Sequence, residues 1–224
     1  MRKKTKTVHQ HTFREDLLKE GGWVLDLGCN DFIFSSFMIN RGMKVIGLDP
    51  IKNINIPDDI KNNENFTYLQ RACVGIKESD TATYYEYQSW GANSLVNTPD
   101  LLHRERNGGH AKNPYKDSYQ VPITTINELM EEFNIIKFDY IKIDIEGGEY
   151  GILANFPKEC TKQFSVEYHD FLGLNPTDDV EHYHKDLIEN VLTNFSIESE
   201  NKTEMKNKGT YQRDDVLYVQ KQYL

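Results

Sequence analysis

Val24-Leu25-Asp26-Leu27-Gly28-Cys29-Asn30, followed by Val45-Ile46-Gly47-Leu48-Asp49-Pro50, is the stretch whose reading decides the fold. The apolar run from Trp23 to Leu27 reads as a buried strand, Gly28 as a one-glycine turn, the next segment as a short helix, and Lys44 to Leu48 as a second strand ending in Asp49. This is the first half of a nucleoside-binding βαβ unit. In such a unit the acidic residue about 20 positions past the turn ends the neighbouring parallel strand, where it accepts hydrogen bonds from ribose hydroxyls. Asp49 stands at that place.

The turn narrows the ligand. A dinucleotide needs G-x-G-x-x-G, because its pyrophosphate must approach bare backbone at a helix N-terminus. Here Gly28 is followed by Cys29, Asn30, Asp31 and Phe32, so the second and third glycines are missing and Asp31 sets a negative charge where phosphate would lie. S-adenosylmethionine carries an amino-acid tail and a sulfonium instead, and the residues favour it over a dinucleotide. The bland alternative is a Rossmann-like strand and turn that holds no ligand.

Composition bounds the rest. A chain of 224 residues is long enough to bury a core as one domain without disulfides or metal. Its 38% hydrophobic and 27% charged content fits a soluble globular protein, and its net charge of -9 argues against a binder of nucleic-acid backbones, which needs a basic footprint. The basic run from Met1 to Lys6 has no apolar stretch behind it, so residues 1–20 read as a partly disordered arm or a helix, with neither a signal peptide nor a membrane span. Cys29, Cys73 and Cys160 are scattered without metal-ligand spacing, which suits a reducing, cytoplasmic setting; the sequons at Asn65, Asn194 and Asn201 then carry no weight.

Further along, strands are expected at Phe66 to Val74, Ala82 to Tyr87, Tyr119 to Thr124, Phe138 to Ile145 and Gln163 to Tyr168, and a closing pair at Phe195 to Glu200 and Asp215 to Gln220. Helices are expected from Ile126 to Phe133, opened by a Thr125/Glu128 capping box, from Gly148 to about Asn155, and from Val180 to Thr193. Residues 88–118 have no period and read as a lid-like insertion, with a disordered insertion as the alternative. The resulting fold class is α/β: a doubly wound, Rossmann-like seven-stranded sheet with helices on both faces and its last strands as an antiparallel hairpin, all in one domain from residue 21 to 224.

Ligands bind outside the carboxyl ends of parallel strands, which directs attention to Asp26-Leu27-Gly28, Asp49, Lys142 to Gly147, and Glu167 to Asp170. Strand alternation groups Lys142, Asp144 and Glu146, and likewise Glu167 with His169. A carboxylate inside a covered sheet is costly unless paired or at an open end, so Asp144 and Glu146 should border the cleft; a Lys142–Glu146 ion pair that merely fixes the turn is the alternative. His169 is the best general-base candidate, since imidazole titrates nearest neutrality. His182 and His184 fall on different faces of the expected helix and read as surface residues. Asp144, Glu146 and His169 could together hold a hard divalent cation, but no local ligand motif marks one and the metal stays unknown.

With these residues in place, the chain resembles the FkbM-like family of class I S-adenosylmethionine-dependent methyltransferases. The matching pieces are Val24 to Asn30, Leu48 to Pro50, Gly91 to Leu95, Val121 to Leu129, Phe138 to Glu149 and Val166 to His169, in the family's order. The resemblance implies methyl transfer to an oxygen, commonly a hydroxyl of a sugar, polysaccharide or other hydroxylated metabolite. It assigns Asp26, Gly28, Asn30, Ser35 and Asp49 to the donor, S-adenosylmethionine, and turns Asp144, Glu146 and His169 toward the acceptor. Two departures stand out: the family usually has glycine at Phe32, where the ring could crowd the donor, and glutamate at Asp49. In the 88–118 insertion, Trp90, His103, Arg104, Arg106, His110 and Lys112 are candidates to grip an acidic or sugar-like acceptor. Competing readings are a nucleotide-dependent oxidoreductase or epimerase, and a non-catalytic interaction protein on the same fold.

Overall fold

The computed structural model describes residues 4–87, 93–95, 115–169, 187–204 and 211–224. The strands, in chain order, are β1 (Thr5–Val8), β2 (His11–Arg14), β3 (Trp23–Leu27), β4 (Lys44–Leu48), β5 (Phe66–Leu69), β6 (Ala72–Cys73), β7 (Thr81–Tyr87), β8 (Tyr115–Thr124), β9 (Tyr140–Ile143), β10 (Gln163–Val166), β11 (Phe195–Glu204) and β12 (Tyr211–Gln220). Seven of them form one sheet in the order β11-β12-β10-β9-β3-β4-β5. The five strands from β10 to β5 run parallel, and β12 is antiparallel to both β10 and β11. The seven-stranded α/β sheet with a terminal antiparallel pair is the one expected.

Strand period divides the core. Val24, Val45, Tyr140 and Leu217 belong to one apolar cluster, whereas Leu25, Leu27, Ile46, Ile141, Ile143 and Tyr218 belong to the other. Both faces of the sheet are therefore covered, as parallel strands require. The chain runs outward from β3 through β4 to β5 and then returns to β9 on the other side of β3. The switch point lies between β3 and β9, and a ligand site belongs beyond their carboxyl ends.

A second sheet, in the order β6-β8-β7, packs through Ile51, Ala72, Tyr84, Val121 and Ile123. It takes in part of the expected Phe66 to Val74 strand: the chain leaves the main sheet after Leu69, turns at Gln70-Arg71, and resumes as β6. Strand β8 begins at Tyr115, so the end of the expected insertion is ordered against β7. The Thr125/Glu128 capping box forms in both directions and opens the Ile126–Glu132 helix. The Glu149–Ala154 helix follows Gly148 as expected. Only Leu187–Val191, a π-helical turn, falls within the described part of the expected 180–193 helix.

The N-terminal segment departs from the expected arm or helix. β1 and β2 form a hairpin with Val8 opposite His11, joined by His9 and Gln10 at φ 46° and 69°. Two consecutive left-handed residues make the turn whose twist matches paired strands. The hairpin buries His11, Thr12, Phe13 and Arg14. Phe13 meets Phe34 and Tyr140 edge-on at 6.3 and 5.8 Å, and burying such a ring contributes about 1.5–3 kcal/mol.

Phe32 also resolves differently from its sequence reading. Its backbone is left-handed at φ 60°, a conformation that favours glycine, yet its ring is buried against Phe66 and Tyr68 at 5.9 and 5.8 Å. The side chain turns into the core and is absent from the wall of the cavity described below. In urea unfolding, Phe32→Ala should cost about 3–5 kcal/mol. Phe32→Gly should cost about 1 kcal/mol less than Phe32→Ala, because glycine relieves the left-handed strain.

Candidate active site

At the switch point lies a cavity of about 90 Å³, lined by Gly28, Asn30, Asp49, Ile51, Cys73, Tyr84, Asn93, Asp144 and Glu146 among others. Its floor is the β3 turn and its far wall the small β6-β8-β7 sheet. Gly28 is fixed twice over: its φ is +77°, and a Cβ there would sit 1.8 Å from the Asp144 carbonyl oxygen. The turn after β3 and the segment after β9 thus touch backbone to backbone.

Asp49 is nearly buried at the end of β4. Its carboxylate accepts from the N–H groups of Asn30 (3.1 Å) and Ile51 (3.0 Å). A carboxylate has about four acceptor positions, so capacity remains toward the cavity for a vicinal diol. Burial pushes its pKa up to about 6, against those two hydrogen bonds and the nearby Lys142 charge. This residue and its setting fit the ribose of a nucleoside-type donor.

Asp26 and Ser35, assigned to the donor by resemblance, stand behind the cavity and do not line it. Both are fully buried, and Ser35 Oγ donates to Asp26 Oδ2 at 2.6 Å. Asp26 Oδ1 meets Lys142 Nζ at 3.1 Å across the β3–β9 register. The ammonium also donates to the Gly28 carbonyl at 2.7 Å and lies 3.4 Å from Asp144 Oδ2. Lys142 therefore pairs with Asp26 and Asp144, not with Glu146 as the alternative had it. Burial disfavours its charge, but the two aspartates more than compensate and raise its pKa above the ordinary lysine value. Asp144 is correspondingly held far below the carboxylate range by Lys142 and His11, despite desolvation.

Beyond Asp144 the site becomes a cluster of acids and imidazoles. Strand β9 ends at Ile143, so Glu146 is brought in by a tight turn rather than by strand parity; its φ is 57° and that of Gly147 is 110°. Glu149 stabilises this turn by accepting from the N–H groups of Ile145 and Gly147. His169, after β10, is buried with Nδ1 2.8 Å from Glu149 Oε1 and Nε2 3.3 Å from Glu146 Oε2 and 3.9 Å from Glu167 Oε1. Burial works against its charge, yet Glu149 and Glu146 lift its pKa to about 10. That shift favours the protonated ring, whereas the expected general-base role needs the neutral one.

His11 is the residue that the sequence reading missed. The N-terminal hairpin places its Nε2 3.5 Å from Asp144 Oδ2 and its Nδ1 3.7 Å from Asp215 Oδ1. The available signal was the strand-like alternation on either side of His9-Gln10. Trp90, His103, Arg104, Arg106, His110 and Lys112 lie outside the described residues, as do His182 and His184. Ser94, from the Gly91 to Leu95 match, donates through Oγ to the Glu146 carbonyl, and Asn93 lines the cavity.

This sheet order, with a cavity over its switch point, is that of the class I S-adenosylmethionine-dependent methyltransferase fold. The chain belongs to the FkbM-type methyltransferases: the domain described as "Methyltransferase FkbM domain" matches residues 26–203. That interval contains every residue of the cavity wall and excludes His11 and Asp215. Among solved structures the chain is similar to a proposed rRNA methylase from Clostridium thermocellum, at 10% identity and a TM-score of 0.47, covering 91% of this chain and 88% of that one. It is also similar to 1,6-didemethyltoxoflavin-N1-methyltransferase from Burkholderia thailandensis, solved with 1,6-didemethyltoxoflavin and S-adenosylhomocysteine, at 10% identity, a TM-score of 0.41 and coverage of 90% and 72%. A third is a SAM-dependent methyltransferase from Methanosarcina mazei, at 14% identity, a TM-score of 0.41 and coverage of 92% and 95%. No curated protein matches the sequence. Among the described residues, no helix is long and apolar enough to cross a membrane.

Asp49 gives the site a pH signature. Ribose hydroxyls bound at Asp49 would donate to the ionised carboxylate, so S-adenosylhomocysteine affinity should hold above pH 6. It should then fall about tenfold per unit as pH drops below that value. Calorimetric titrations across this range should show the slope in the wild-type chain, and a flat, weaker profile in Asp49→Asn.

Proposed function

We propose that the protein transfers a methyl group from S-adenosylmethionine to a hydroxyl of a sugar, polysaccharide or other uncharged hydroxylated metabolite. The observation that carries this reading is the placement of Asp144 and Glu146 on the cavity wall, with His169 directly behind them. The donor supplies a methyl group made electrophilic by a sulfonium charge, and an acidic wall favours that cation. The same wall disfavours phosphate-bearing acceptors, in keeping with the net charge of -9 and with a non-nucleic-acid substrate. Gly28 and Asn30 would meet the donor's amino-acid end and Asp49 its ribose, while Asp26 and Ser35 hold the turn in place. On the cavity wall, Glu146 is the carboxylate available to take the hydroxyl proton, since Asp144 is committed to Lys142 and His11.

The test begins with calorimetric titration of the purified chain by S-adenosylhomocysteine, with NADH as a control on the same sample. Micromolar binding of the first alone is expected; binding of NADH, or of neither, would remove the reading. With labelled S-adenosylmethionine and a panel of hydroxylated sugars, Glu146→Gln should lower turnover by about 10²–10⁴-fold. Its S-adenosylhomocysteine affinity should stay within a few-fold of wild type. Equal losses in both would make Glu146 part of donor binding instead.

A further inference from the structure

We propose that the hydroxyl of Tyr84 is a hydrogen-bonding ligand of the donor's nucleoside part, which makes the small β6-β8-β7 sheet a working wall of the donor site. This rests on the donor reading given above and adds a residue from outside the βαβ unit. Tyr84 lies on β7, is 5% exposed and lines the cavity. Its hydroxyl makes no hydrogen bond among the described residues. Other phenols packed in the fold are paired. Tyr68 donates to the Asp49 carbonyl at 2.7 Å, Tyr140 pairs with Ser165, and Tyr119, whose ring is 5.7 Å from that of Tyr84, accepts from the Lys52 N–H at 3.1 Å. A buried hydroxyl without a partner is costly, and a buried tyrosine usually finds one. Tyr84 instead keeps its hydrogen-bonding capacity for what enters the cavity.

The strand that carries it is held in place. Tyr84 stands opposite Tyr119 in the β7–β8 register. The next residue, Tyr85, exchanges backbone hydrogen bonds of 2.8 and 3.1 Å with Ser94, and Ser94 Oγ donates to the Glu146 carbonyl. β7 is thereby tied both to its own sheet and to the turn after β9, so the ring meets a ligand at a fixed height above the β3 turn.

Position selects the nucleoside over the acceptor. Tyr84 packs in one apolar cluster with Ile51 and Ala72. The Ile51 N–H donates to Asp49 at 3.0 Å, and Ala72 follows closely on β5, the strand next to β4. Leu48, Ile51, Ala72, Cys73 and Tyr84 give the cavity an apolar side beside Asp49, while Asp144 and Glu146 form its acidic side. A purine needs an apolar slot for its faces and a few fixed polar groups at its edge. Tyrosine supplies an apolar body and a polar tip together. Burial first, and then the nearby Asp49 charge, push the Tyr84 pKa well above the ordinary phenol value. The neutral hydroxyl both donates and accepts, which matches the ring nitrogens and amino group of adenine.

The experiment titrates the full chain and its Tyr84→Phe variant with S-adenosylhomocysteine and with 5′-methylthioadenosine, which keeps the nucleoside and lacks the amino-acid tail. The thermal midpoint of each free protein is recorded alongside. Tyr84→Phe should weaken both probes alike, by about three- to tenfold, the range for one neutral hydrogen bond. Its midpoint should stay the same or rise, because the substitution removes a buried hydroxyl that has no protein partner to lose. Tyr85→Phe, on the opposite face of β7 and off the cavity wall, should leave both affinities unchanged. A loss confined to S-adenosylhomocysteine, or a loss accompanied by a lower midpoint, overturns the assignment. Wild-type binding that Tyr84→Phe fully retains removes Tyr84 and leaves the donor site standing, whereas a wild type that binds neither probe overturns both.

Discussion

The buried ammonium of Lys142 is the point about which the site is assembled. It reaches from β9 to Asp26 on β3, to the Gly28 carbonyl in the turn that follows, and to Asp144 beyond the end of its own strand. Two carboxylates outweigh the desolvation of the lysine, so the charge persists. Breaking a buried ion pair by deleting one partner costs about 3–5 kcal/mol, because the other charge is left without compensation. This clamp holds the two strand ends so close that only glycine fits between them, and the cavity floor is the surface it creates. Asp26 thus shapes the cavity floor through the lysine, from behind the wall.

The second constraint comes from the first residues of the chain. The β1–β2 hairpin packs Phe13 into the aromatic cluster beneath the Ile33–Ile39 helix and sends His11 between Asp144 and Asp215. Both contacts of that imidazole raise its pKa against the effect of burial, and the ring braces Asp144 from the hairpin side. His169 braces Glu146 and Glu149 in a corresponding way from β10. The acidic wall is therefore held at an acidity and spacing that no single element sets. It is built by the hairpin, by β9 and its turn, and by the ends of β10 and β12.

Much of this was legible from local pattern. The spacing from Gly28 to Asp49, the Thr125/Glu128 capping box and the isoleucine alternation of β9 each depend on neighbours close in sequence, and each appears where expected. The hairpin at His11 escaped notice because its turn is His9-Gln10, without the glycine or asparagine that marks left-handed pairs. Phe32 read as an obstruction because its identity says nothing about the direction of its ring. The single strand expected from Phe66 to Val74 divides because Leu69 ends at the sheet edge and Ala72 pairs with β8, a partner far away in the chain.

The sequence by itself determined the α/β class, the sheet that carries the site, and Asp49 as the acidic residue that ends β4 beside the β3 turn, since period and spacing are properties of short segments. Only the tertiary structure decided which polar residues face the cavity and which stand behind it. Asp26, Ser35, Lys142 and Glu149 carry the same chemistry as the wall residues. Their roles follow from register between strands distant in sequence and from the partners each meets once water is excluded. Pairing of that kind is set by the assembled sheet, and for His11 and Asp215 it joins the two ends of the chain.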